Sequence, residues 1–121
     1  MKIIQLIGKI KDEPNANKYF ADAKKHLEKI MSKNTKVITP HEINAKFNTI
    51  IDIEQRCLAH CIENIINEYL YMSYDHDFEI YALWNIVENS KGALLEHKIA
   101  DALGIPVTLI LKSDLYGEEN E

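Results

Sequence analysis

The stretch Ser90-Lys91-Gly92-Ala93-Leu94-Leu95-Glu96 carries the residue types best suited to chemistry. It opens a helix predicted over 91–103, with Ser90 or Asn89 as N-cap and Gly104 as stop signal. A helix N-terminus offers free N–H groups and a partial positive charge, which together attract an anion. Gly92 and Ala93 are small enough to let a ligand approach the backbone. Glu96 lies about one turn further in, on a face shared with Gly92 and Ala100, and borders a core stripe expected from Leu95, Ile99 and Ala102. There the helix dipole is expected to keep it ionised, the state a carboxylate nucleophile needs. The plainer alternative is a surface glutamate that complements the dipole, with Gly92 a packing residue, and spacing by itself favours that alternative.

Other residues join this stretch by position. Gly8-Lys9-Ile10-Lys11 follows the first apolar run and combines a tight turn with two cations, a workable monophosphate cradle. It lacks both the G-x-G-x-x-G spacing of dinucleotide sites and the G-K-[ST] ending of a P-loop. His41, after Thr39-Pro40, can trade protons near neutral pH. Trp84 can stack on a base or wall a pocket, and it serves equally well in a core. Cys57 and Cys61 sit four apart, with His60 between them, on a predicted helix. A closed zinc site needs four ligands and no second cysteine pair exists, so no metal is expected and Cys61 reads as core. Free thiols in a reducing, cytoplasmic setting are expected. No G-x-S-x-G elbow is present, and no cofactor is called for.

Positioning these residues requires alternating elements. Apolar runs at 2–7, 35–39, 78–84 and 106–111 read as strands. Helical periodicity covers 14–33, 52–72 and 91–103. Residues 40–50, 73–77 and 85–90 read as loops or turns. Strands that alternate with helices imply a parallel sheet with right-handed crossovers. The expected fold is therefore an α/β, flavodoxin- or Rossmann-like three-layer sandwich, with strand order 2-1-3-4. One domain is expected over 1–112, with 113–121 an acidic, frayed tail. In such sheets ligands sit beyond the carboxyl ends of the strands, where Gly8–Lys11, His41, Trp84 and Ser90–Ala93 all fall. The 121 residues are 46% apolar and 27% charged, as in ordinary globular domains. A net charge of −5 without a basic run argues against duplex nucleic acid as partner. No apolar stretch approaches the ~20 residues of a membrane span, and the opening apolar run is too short for a secretory signal.

The run Trp84…Ser90-Lys91-Gly92-Ala93-Leu94-Leu95-Glu96…Ala100…Leu103-Gly104-Ile105-Pro106 closely resembles the signature W-x(n)-S-K-G-A-x-x-E-x-x-x-A-x-x-L-G-x-P. That signature belongs to a group of small, often phage-borne proteins, the DUF4406 group. The group is similar to the nucleoside 2-deoxyribosyltransferases and the 2′-deoxynucleoside 5′-phosphate N-hydrolases. Ile7-Gly8-Lys9-Ile10-Lys11 looks like the hydrolases' phosphate loop, and Thr39-Pro40-His41 like their second strand end. The resemblance implies a nucleotide pocket completed in a homodimer. It makes Glu96 the nucleophile that displaces the base from the sugar, and Gly8, Lys9, Ile10, Lys11, Ser90 and Gly92 the 5′-phosphate cradle. A second carboxylate is implied, with Asp77 and Glu68 the residues nearest its expected positions. Gln5 stands where the hydrolases carry a tyrosine. Two functions follow as expectations: cleavage of a nucleotide's N-glycosidic bond, or a silent module that binds a nucleotide-derived signal.

Overall fold

A computed structural model describes residues 1–45, 54–75, 77–87 and 90–117. The elements run β1 (Lys2–Ile7), α1 (Ala16–Ile30), β2 (Thr35–Ile38), α2 (Pro40–Ala45), α3 (Glu54–Asp75), β3 (Asp77–Leu83), a 3₁₀ turn (Trp84–Val87), α4 (Lys91–Leu103), β4 (Val107–Ile110) and α5 (Lys112–Tyr116). The four strands form one all-parallel sheet in the order β2-β1-β3-β4. This is the Rossmann-like three-layer architecture that the alternating pattern implies.

Period-two alternation divides β1 between two cores. Ile3 and Ile7 pack with Cys61, Ile65, Phe78, Ile80, Ala93 and Ala100, beneath α3 and α4. Ile4 and Leu6 pack with Phe20, Ala23, Leu27 and Leu83, beneath α1. Gln5 is fully buried. Its Nε2 donates to the Cys61 carbonyl at 3.1 Å, and its Oε1 accepts from Asn64 Nδ2 at 2.6 Å. Gln5 thus ties β1 to α3.

Three segments differ from the sequence reading. Residues 40–45 form α2, not a loop: Thr39 Oγ1 accepts the Glu42 N–H at 3.1 Å while Glu42 Oε1 accepts the Thr39 N–H at 3.0 Å. This is a capping box with Pro40 at the first helical position. Helix α3 runs to Asp75, through most of the predicted turn at 73–77, and α5 occupies 112–116, where the domain was expected to give way to a frayed tail. Tyr116 anchors α5, its hydroxyl donating to Asp22 Oδ2 at 2.6 Å. Residues 46–50 and 88–89, read from the sequence as loop, 52–53, read as helix, 76, read as turn, and 118–121, read as tail, lie outside the described residues.

Gly8 follows β1 where that strand meets the end of β3. A Cβ built there would stand 3.0 Å from Leu83 Cβ and 3.1 Å from two further Leu83 carbons. Gly8→Ala is therefore expected to cost about 1–3 kcal/mol in urea unfolding. An unchanged midpoint would mean that Leu83 yields freely.

Candidate functional site

The sheet reverses its strand order between β1 and β3, and a cleft of about 480 Å³ opens at the carboxyl end of that switch point. Three elements supply its walls. The β1–α1 loop brings Gly8, Lys9, Ile10, Lys11 and Asp12; the first turn of α4 brings Ser90–Ala93, with Glu96 beyond; α3 brings Cys57, Leu58 and Cys61, and Pro40 completes the rim.

The β1–α1 loop is held from below. Lys9 N–H donates to Asn85 Oδ1 at 3.1 Å, so that amide fastens the loop to the 3₁₀ turn. Glu13 N–H closes a turn onto the Ile10 carbonyl at 3.2 Å. Asp12 adopts φ 58°, a left-handed conformation that aspartate tolerates. At α4, Ser90 is the N-cap, its Oγ accepting from the Ala93 N–H at 3.4 Å, and Gly104 caps the far end at φ 75°. Gly92 faces Leu58, whose nearest carbons would stand 3.4 Å from an added Cβ.

Helix α4 is rotated relative to the predicted stripe. Ala93, Glu96 and Ala100 are its buried residues, whereas Leu95 is exposed. Glu96 is consequently buried at 6% exposure, and among the described residues its Oε2 has no hydrogen-bond partner. Burial pushes its carboxyl up to about 8, and the nearby Cys57 sulfur adds to the shift. The expectation that the helix dipole would keep Glu96 ionised is reversed. A helix end offers at most ~2 kcal/mol to an anion, less than stripping a carboxylate of water costs without compensating donors. Beside it, the Cys61 thiol hydrogen-bonds the Cys57 sulfur. That contact lowers the Cys57 thiol, while Cys61, acting as the donor and buried, is pushed far up. Both cysteines are free.

The other predicted residues stand elsewhere. Asp77 opens β3 at the amino edge, paired with Lys2, its N–H bonded to the Met1 carbonyl at 2.9 Å. The whole strand, roughly 20 Å, separates it from the cleft. Glu68 lies on α3 beyond the lining, seven residues or ~10 Å of helix past Cys61. Neither stands with Glu96. His41 sits in the first turn of α2, exposed, with its ring edge on Phe20 at 5.6 Å and its imidazole lowered by partial burial. Trp84 packs on the opposite side of the sheet, against Tyr19 at 4.9 Å and Tyr116 at 6.4 Å. Its position after a strand end did not reveal which side of the sheet its ring would take.

Asp12, Cys57 and Leu58 are cleft residues that no sequence motif marks. The one available signal was that Cys57, Leu58 and Cys61 share a helical face, which reads equally well as core. The described residues contain no cluster suited to a metal ion. No helix among them is long and apolar enough to cross a membrane. No family model, curated protein or solved structure matches the chain.

Proposed function

We propose that the cleft binds a nucleotide and that Glu96 cleaves its base–sugar bond, as in the deoxyribosyltransferase-like family that the Ser90–Pro106 signature resembles. The observation that carries this reading is the buried Glu96 carboxyl with an unpartnered oxygen beside the N-terminus of α4. An orphaned buried oxygen is costly by itself and is satisfied when a ligand's hydroxyl reaches it. In the reaction, the Glu96 carboxylate attacks the anomeric carbon and the base departs with the bonding electron pair. Water or a second base then resolves the glycosyl ester, the two-step logic of a retaining glycosidase. Asp12 is the other carboxylate in the lining and takes the place that Asp77 and Glu68 were expected to fill in activating the water. Lys9, Lys11 and Lys91, with the first amides of α4, suit a 5′-phosphate. A cleft of about 480 Å³ is large enough for such a ligand.

A second reading, the silent nucleotide-binding module, is favoured by two observations. Asp77 and Glu68 lie outside the cleft, and Glu96 is protonated at neutral pH until something lowers its pKa. Incubation with a panel of deoxynucleotides, reading free base and retained ligand together, separates the two. Released base supports the enzyme; retained intact nucleotide supports the module. Neither outcome with any nucleotide would end both readings. By calorimetry a 5′-monophosphate should bind about tenfold more tightly than its nucleoside, and equal affinities would remove the phosphate from the cleft.

The wider reading follows the family: a homodimer working in the cytoplasm without metal or cofactor. The exposed Ile66 and Leu70 on α3 give a second copy an apolar surface to cover.

A further inference from the structure

We propose that Cys57 is a nucleophilic thiol set in the wall of the cleft, a site where soft electrophiles are captured covalently. Competition between that capture and nucleotide rests on the function proposed above; the assignment of the thiol does not.

Four observations support it. Cys57 is half-buried and lines the cleft, so its sulfur is neither sealed in the core nor loose on the surface. It shares the cleft with three cations, Lys9, Lys11 and Lys91, as well as with the carboxyls of Asp12 and Glu96. Partial exposure is what a reactive cysteine needs for an electrophile to reach its sulfur. Cys61, one turn on, is only 2% exposed, so Cys57 is the thiol open to the cleft, and its pairing with Cys61 holds the Cys57 thiol below the ordinary range. The two thiols lie in one helix at a spacing that disfavours a disulfide, and both are free. Finally, the unpartnered Oε2 of the buried Glu96 belongs to the same lining, which marks this wall as built to meet a ligand.

With iodoacetamide the Cys57 sulfur attacks the methylene carbon. The S–C bond forms as the C–I bond breaks, iodide leaves with the bonding pair, and the thiol proton passes to solvent. No oxidant or reductant is consumed.

The test is limiting iodoacetamide on the native full-length chain, with peptide mass spectrometry at several times. Cys57 should be alkylated at least about tenfold faster than Cys61. Cys57→Ser should remove native labelling and leave Cys61 reactive only after unfolding in guanidinium. Cys61→Ala, which deletes the donor, should slow Cys57 severalfold while thermal unfolding confirms that the chain remains folded. Equal native rates at the two cysteines, or a Cys57 slower in the native than in the unfolded chain, would overturn the proposal. A saturating deoxynucleoside 5′-monophosphate should protect Cys57 by about tenfold. Fast labelling without protection by any nucleotide would uphold the thiol and refute nucleotide binding in this cleft, so the two readings fail separately.

Discussion

Glu96→Gln is expected to lower base release by roughly 10³-fold or more while leaving nucleotide affinity within a few-fold. The amide matches the carboxyl in size and can still hydrogen-bond a sugar hydroxyl, but it cannot form the glycosyl ester. The wild-type pH profile carries a second signature. Only the carboxylate attacks, and burial places Glu96 at about 8. The rate of the free enzyme, kcat/KM, should therefore climb as pH rises through 8 and level off above it. Glu96→Gln should show no such climb. Base release surviving the substitution would remove Glu96 as nucleophile. Wild-type protein that retains nucleotides intact at every pH would leave the sequestering module as the function.

The same substitution should change stability with an opposite-looking pH dependence. The Glu96 carboxyl titrates at about 8 when folded, against an ordinary value of 4.5. Between those values the folded chain holds a proton that the unfolded chain has lost, so stability falls as pH rises. The contribution of the buried neutral carboxyl is fully present below about 4.5 and lost as pH passes 8. Each tenfold change in proton affinity is worth ~1.4 kcal/mol, so the loss across this window is on the order of 4 kcal/mol. Glutamine does not titrate. In urea unfolding, Glu96→Gln should gain on the wild type by up to that amount between about pH 5 and pH 9. Parallel wild-type and variant stability curves across that range would show that Glu96 reaches water in the folded protein.

Glu96's place and its charge state were not equally legible. That it stands a turn beyond the N-terminus of α4 could be read from Ser90-Lys91-Gly92-Ala93-x-x-Glu96, because N-cap, small residues and carboxyl have a fixed spacing on any helix. That it is neutral could not. The predicted inward stripe of Leu95, Ile99 and Ala102 lies roughly a third of a turn round the helix from the observed Ala93, Glu96 and Ala100. Such a rotation is set by the tilt of α4 against the sheet and not by periodicity, since α4 carries apolar residues on more than one face. It decides whether a carboxyl borders water or lies beneath the helix.

The chain's local chemistry determined its architecture: near-continuous apolar strands alternate with amphipathic helices, and parallel strands with right-handed crossovers leave few arrangements, of which β2-β1-β3-β4 is the one found. Turn and cap residues set the ends of α4 at Ser90 and Gly104, and Thr39-x-x-Glu42 marks the start of α2 in the same way. Only the tertiary structure decided which strand-end residues meet. His41 leaves with α2, Trp84 is drawn to the aromatic side by Tyr19 and Tyr116, and Asp77 stays at the far end of its strand. Cys57 and Cys61 reach the cleft because α3 crosses the sheet at the switch point. A loop position specifies an edge of the sheet, whereas the face and depth of a side chain depend on packing between elements far apart in sequence. Thus the carboxyl end of the sheet could be named from the sequence, but not the wall of thiols beside Glu96.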